Sequence, residues 1–186
     1  MSMKVTPLGI EGAWLLESPI HPDDRGIFRE WFKSDGLKQN GLPNFEVKQA
    51  NTSISAKGVI RGIHFSSVQN GQAKIVTCTF GSVLDVIVDL RRDSHTFGSH
   101  IQINLSAMEG KSIFISKGLG HAFQSLENNS TIAYLLDKEY NPDEEFGITP
   151  LDSNLDIPWN KSGLNISKKD AEAPSIKAFF EAGNVK

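Results

Sequence analysis

Between residues 12 and 137 the chain alternates short runs rich in Val, Ile, Phe and Thr with turn residues, and helical periodicity is nearly absent. This rhythm constrains the fold more than any other feature. Candidate strands fall at 12–17, 27–32, 46–55, 58–65, 73–80, 82–90, 100–106, 111–116, 119–126 and 131–137. Glycines at 58, 62, 71, 81, 98, 110, 118 and 120 sit between or inside them. β-Branched and aromatic residues suit a pleated, half-buried surface, and regular short strands with turn signals predict an all-β sandwich or barrel. Two segments read as short helices, SDGLKQN (34–40) and SIKAFFEA (175–182). A length of 186 residues fits one domain, 1–186, with a less regular tail after about residue 150.

Charge and cysteine content then narrow the chemistry. A formal charge of −3 argues against a nucleic-acid binder, so an anionic ligand needs a few placed cations. One cysteine, Cys78, excludes an internal disulfide and a cysteine zinc cluster. Pro7, Gly9 and Glu11 interrupt the N-terminal apolar stretch, and VLDVIVDL (83–90) carries two Asp. No secretory signal or spanning helix fits, so the expectation is a cytoplasmic chain with no membrane partner.

Two segments resemble cupin motifs. In GVIRGIHFSSVQNGQAKIVTCTFG (58–81), five residues separate Gly58 from His64. The motif's second His is Ser66 here, and no Glu occurs before Gly81. In GKSIFISKGLGH (110–121), Gly110, Gly118 and His121 keep their places, while Ser116 stands for the usual Pro. A cupin metal site needs three or four converging His/Glu ligands, and only two His remain, so no metal is expected.

The wider pattern adds DDRGIFREWF (23–32), QANTSIS (49–55), KIVTC (74–78), GSVLDVIVDLRRDSHTFG (81–98), GLGHAF (118–123), AYLLDKEYNPDEE (133–145) and ISKKDAEAP (166–174). In this order the segments closely resemble the dTDP-4-dehydrorhamnose 3,5-epimerase family over roughly residues 5–174. The resemblance implies a cupin-type jelly-roll β-sandwich with a few short helices, mainly C-terminal. It implies a homodimer whose N-terminal strands cross to the partner, and no cofactor. The implied substrate is a dTDP-linked 4-keto-6-deoxyhexose inverted at C3, C5 or both, in deoxysugar biosynthesis.

The chemistry asks for three parts. Inverting a carbon beside a ketone needs a base, an acid on the opposite face and a group that stabilises the enolate oxygen. His64 suits the base, because an imidazole with a pKa near ~6.5 accepts a proton at neutral pH. The resemblance assigns its orienting carboxylate to Asp170, with Asp85 as the second choice. Tyr134 matches the family's proton donor, and a phenol with a pKa near ~10 is neutral and able to donate. Lys74 matches the electrophile for the C4 oxygen. Without the resemblance, Lys74 also reads as a surface residue and Tyr134 as a packed strand residue, while His64 reads first as a structural histidine and Asp170 first as a helix cap or surface Asp.

By the same resemblance, Arg25, Arg61 and Lys169 bind the pyrophosphate, and Phe28 stacks on the base. Glu30, Gln49, Asn51, His121, Tyr140 and Glu145 line the nucleotide or sugar. The pattern departs from the family's in FSSVQNGQ (65–72), at Ser116–Lys117, at Ala122 and in PLDSNLDIPWN (150–160). These positions lie near the sugar, so a C3-only or C5-only epimerase stays open. So does a non-catalytic sugar-nucleotide-binding cupin. A metal-dependent cupin and a ketoisomerase both want the second His that Ser66 replaces.

Overall fold

The structure is a computed structural model that describes residues 3–183. The first two and last three residues of the expected 1–186 domain lie outside the described residues.

Fourteen strands are described: β1 (Lys4–Pro7), β2 (Ala13–Glu17), β3 (Ile20–Asp23), β4 (Gly26–Arg29), β5 (Gln49–Ser55), β6 (Val59–Ser66), β7 (Lys74–Phe80), β8 (Ser82–Asp89), β9 (His100–Ser106), β10 (Lys111–Ile115), β11 (Leu119–Ser125), β12 (Ser130–Leu136), β13 (Glu145–Gly147) and β14 (Asn165–Ile166). Three short helices join them, α1 (Ser34–Gln39), α2 (Lys168–Ala171) and α3 (Ile176–Glu181), with a 3-10 turn at Pro142–Glu144. One sheet runs β1-β2-β10-β7-β12-β5, the other β13-β6-β11-β8-β9 with β14 beside β6. The two stack as a cupin-type jelly-roll sandwich.

Three apolar clusters hold it. The inter-sheet core joins Val76, Cys78, Ile113, Ile115 and Ile132 of the first sheet to Val83, Ile87, Leu105, Leu119 and Phe123 of the second. A second cluster covers the outer face of β6, β8 and β11 with the C-terminal segment, through Ile148, Leu155, Ile157, Trp159, Ile176 and Phe179. Leu37, Leu42, Phe45 and Phe114 pack as a third, on the outside of the first sheet. Both sheet faces are therefore partly buried, which is why β6 and β8 read as continuous apolar runs.

Each predicted strand exists, with shifts at the ends. The segment predicted at 27–32 stops at Arg29, because Trp31 and Phe32 leave the β3–β4 hairpin to pack under α1. Residues 46–48 stay outside β5, while β1, β3, β13 and β14 are additions. β1, β13 and β14 are short and lean on a longer neighbour, and β3 pairs with the equally short β4, so alternation over a few residues does not reveal them. The tail after residue 150 is more structured than expected. Asp152 Oδ2 accepts from the Ile176 N–H (2.6 Å), and the Trp159 indole N–H donates to the Pro150 carbonyl (2.7 Å).

Candidate active site

Strand register decides which side chains face the space between the sheets. On β12, Tyr134 pairs with Asn51 of β5 and with Val76 of β7, and Leu136 pairs with Gln49 and with Lys74. Paired residues share a face, so Gln49, Asn51, Tyr134 and Lys74 line the same wall. Val76 and Ile132 place that wall inward, and Tyr134 packs against their cluster. On the opposing sheet His64 of β6 pairs directly with His121 of β11, and Gly147 of β13 lies opposite His64. Glu145 lies opposite Ser66, two residues along, and shares this inward face. Phe65 and Phe146 point the other way, into the cluster with Phe179.

Gly62 permits the close meeting of β6 and β11. Its φ is +118°, and a Cβ there would stand 2.6 Å from both the His121 carbonyl and the Ala122 side chain. Any larger residue would push His64 away from His121.

His64 is half-buried, and its Nε2 lies 2.8 Å from Asp170 Oδ1. Asp170 arrives from α2, which packs on the β6 edge between the stretches held by β13 and β14. Ser167 caps that helix by accepting from the Asp170 N–H (3.1 Å). The second carboxylate oxygen, Oδ2, accepts from the Gly62 N–H at 3.4 Å. Asp170 is thus a buried residue with both oxygens occupied, and neither a cap nor a surface Asp. Burial lowers the His64 pKa, the Asp170 hydrogen bond and charge raise it in part, and Lys74 and Lys169 lower it again. The net direction is downward from 6.5, so the ring is neutral at pH 7. Its Nε2 is engaged with a carboxylate, which leaves Nδ1 as the free basic nitrogen.

Lys74 is 9% exposed and takes part in no described ion pair. Burial lowers its pKa, and the Glu145 charge opposes that shift. Glu145 in turn is raised by burial and lowered by Lys74 and Lys169. A buried ammonium without a close carboxylate is costly, and it is poised to meet negative charge that develops beside it.

His121 Nε2 lies 2.8 Å from Asp85 Oδ2. Asp85, the second choice as partner to His64, therefore serves the other histidine. The reason is register. Asp85 lies opposite Phe123, two residues from His121 on the neighbouring strand and on the same face. That is within reach of an imidazole.

The remaining expected residues divide into two groups. The Tyr140 N–H donates to Gln49 Oε1 (2.8 Å), and Gln49 Nε2 donates to Asn51 Oδ1 (2.9 Å), which ties the exposed Tyr140 to the inner wall. Arg61 is exposed near the β5–β6 turn and donates to Ser55 Oγ at 3.1 Å. Lys169 is exposed and acts on His64 and Glu145 by its charge. Arg25, Phe28 and Glu30 lie apart, on or just after the β3–β4 hairpin. Their described partners are Asp23, His21 and Lys33, and Phe28 is 64% exposed.

A set of supporting contacts carries no sequence signal. Ser67 Oγ donates to Glu144 (2.9 Å), Gln72 Nε2 to the Glu139 carbonyl (3.0 Å) and Lys138 Nζ to the Asn70 carbonyl (2.8 Å). They join the 67–73 loop to the segment bearing Tyr140 and Glu145. The partners are 67 to 77 positions apart, which no local spacing rule reaches. Among the described residues no group of three or more His, Cys, Asp or Glu is arranged to hold a metal ion. Among the described residues no helix is long and apolar enough to cross a membrane.

A jelly roll whose inner walls oppose a neutral histidine to a buried lysine and a tyrosine defines a cupin-type enzyme of the acid–base, isomerase class. Comparison with known proteins makes the class specific. The family model described as dTDP-4-dehydrorhamnose 3,5-epimerase matches residues 7–178. The dTDP-4-dehydrorhamnose 3,5-epimerase of Mycobacterium tuberculosis is 40% identical over 184 residues, covering 97% of this chain and 91% of that protein. The crystal structure of NovW, a 4-keto-6-deoxy sugar epimerase from the novobiocin gene cluster of Streptomyces spheroides, superposes with a TM-score of 0.94. It is 38% identical, and the match covers 99% of this chain and 92% of that one. ChmJ, a 3'-monoepimerase from Streptomyces bikiniensis solved with dTDP-quinovose, gives a TM-score of 0.92 at 38% identity, covering 96% and 90%. This chain belongs to the dTDP-4-dehydrorhamnose 3,5-epimerase family and is an isomerase of the epimerase type.

Proposed function

We propose that the chain epimerises a dTDP-linked 4-keto-6-deoxyhexose at C3, C5 or both. The observation that carries this is the His64–Asp170 pair on one inner wall, with Lys74 and Tyr134 on the other. His64 Nδ1 takes the proton from the carbon beside the C4 ketone. Asp170 fixes the ring and stabilises the imidazolium that forms. The electrons move onto the C4 oxygen, beside the Lys74 ammonium. Tyr134 delivers a proton to the opposite face of the carbon, which completes the inversion.

The nucleotide lies along the open side between β5 and β6. Arg61 and Lys169 meet the pyrophosphate, and Tyr140, Glu145, Gln49, Asn51 and His121 line the base and sugar. Arg25, Phe28 and Glu30 act across a homodimer. The protruding β3–β4 hairpin carries them to the partner's site, which accounts for their distance from His64 within one chain and for the exposure of Phe28. One domain, 1–186, holds all of this, and the setting is cytoplasmic deoxysugar synthesis. No resident cofactor takes part.

Incubation with dTDP-4-keto-6-deoxyglucose in D2O tests the reading. NMR reports deuterium at C3, at C5 or at both, and so counts the inverted centres. No exchange at either carbon would refute it.

A further inference from the structure

Asp85 is wholly buried on β8, between Val83 and Ile87 on its own face, opposite Ile103 of β9 and Phe123 of β11. From the facing sheet the cluster adds Val76, Cys78, Ile113 and Ile132. The Cys78 thiol is kept protonated by burial. His121 is the one charged or titratable group among the described residues that acts on the Asp85 carboxyl. Oδ2 meets His121 Nε2 at 2.8 Å, and Oδ1 is buried with no hydrogen-bond partner. His121 itself is 12% exposed beside His64, and its Nδ1 has no described partner.

Two proton arrangements fit this geometry. With one proton, an ionised Asp85 accepts from Nε2–H, Nδ1 is a bare acceptor, and half of a full charge sits on an unpartnered buried oxygen. With two protons, either Asp85 Oδ2–H donates to Nε2 or an imidazolium faces the carboxylate. In both two-proton forms Nδ1 carries a hydrogen. The first leaves bare only a neutral carbonyl oxygen, and the second cancels the charge. An apolar site strongly disfavours the one-proton arrangement. Burial also pushes the Asp85 carboxyl up. The contrast with Asp170 is direct, since both oxygens of that residue accept hydrogen bonds.

We propose that the Asp85–His121 pair holds two protons in the resting enzyme and presents His121 Nδ1–H to the C4 oxygen of the keto sugar, as a second donor beside Lys74. Asp85 is then a positioning residue. The inference rests on the epimerase reading above. A donor with nothing to accept favours a carbonyl, and it strengthens as negative charge gathers on the enolate oxygen.

The test begins with the unsubstituted full chain. Long-range 1H–15N spectra of the histidine side chains at pH 7, with His121 assigned by its loss in His121→Gln, are expected to show Nδ1 protonated. A bare Nδ1 would overturn the proposal. Kinetics with dTDP-4-keto-6-deoxyglucose supply the second arm. In Asp85→Asn the amide donates to Nε2 and keeps Nδ1–H, so kcat stays within about fivefold. Asp85→Leu loses about a hundredfold in kcat with KM nearly constant, as expected for one lost transition-state donor. An Asp85→Asn protein as damaged as Asp85→Leu would also overturn it. Should Asp85→Leu fail to fold, the spectrum and Asp85→Asn decide alone. If the unsubstituted chain turns over no dTDP-4-keto sugar, the epimerase reading fails separately, while the spectrum still decides the proton count.

Discussion

The inner walls carry two histidine–aspartate pairs with the same bond length and opposite surroundings. His64 and His121 are cross-strand neighbours, and each offers Nε2 to a carboxylate oxygen at 2.8 Å. Asp170 reaches His64 from a C-terminal helix and takes a backbone N–H on its second oxygen. Asp85 reaches His121 from within the sheet and leaves its second oxygen bare. His64 has 40% of its side chain exposed and His121 has 12%. One geometry can therefore serve two proton tasks, because the groups around each carboxylate set the protonation. A satisfied carboxylate supports a neutral histidine ready to accept. A carboxyl with a bare oxygen in an apolar cluster favours retaining an extra proton.

The largest expected effect strikes the first pair. His64→Ala removes the base and should lower kcat by ~10⁴-fold, with dTDP binding by calorimetry preserved. Substantial turnover by the folded variant would break the assignment of the two pairs. Tyr134→Phe should cut net inversion by ~10³-fold while exchange of the first proton with D2O continues. Exchange that stops as well would give Tyr134 a part in deprotonation. Lys74→Met should cost ~10²-fold in kcat by removing an enolate-stabilising charge.

Asp170→Asn separates the pairs by pH. The His64 pKa lies below 6.5, so the acid limb of kcat/KM falls below about pH 6.5. Asp170 supplies the interactions that raise that pKa, so its removal moves the limb to still lower pH, together with a lower plateau. Lys74→Met moves the limb upward, because the Lys74 charge lowers the His64 pKa. Opposite shifts in the two variants are the signature to look for in pH–rate profiles.

The smallest effect concerns stability. Burial raises the Asp85 pKa above its unfolded value near ~3.9, so the folded state binds this proton more tightly. That contribution is complete below about pH 3.9 and is lost as pH rises toward the folded value. Asp85→Asn should therefore be at least as stable as the unsubstituted chain at pH 8, with its relative advantage shrinking at pH 4 in calorimetric scans.

The sandwich was legible in the sequence because each long strand carries its own signature. β6, β8, β11 and β12 are seven- or eight-residue runs of apolar and β-branched residues bounded by turn residues. Short partners such as β13 and β14 were not, because three or two residues hold no period. Lys74 was undecided on sequence grounds. An ammonium between Ala73 and Ile75 reads the same whether its strand faces water or the core, and only the pairing with Leu136 settled its direction.

Residue order alone carries the class of fold, the weak net charge, the single thiol and the candidates for the proposed acid–base roles. These depend on residue type and on local order. Tertiary structure decided which carboxylate meets which histidine. Asp170 lies 106 positions from His64, and Asp85 lies 36 from His121. The first distance vanishes when α2 docks on the β6 edge, and the second when β8 and β11 pair. It also decided that one of those carboxyls keeps a bare oxygen. Burial and hydrogen-bond satisfaction are properties of the whole packed molecule, and they set proton affinity more strongly than the residue's name.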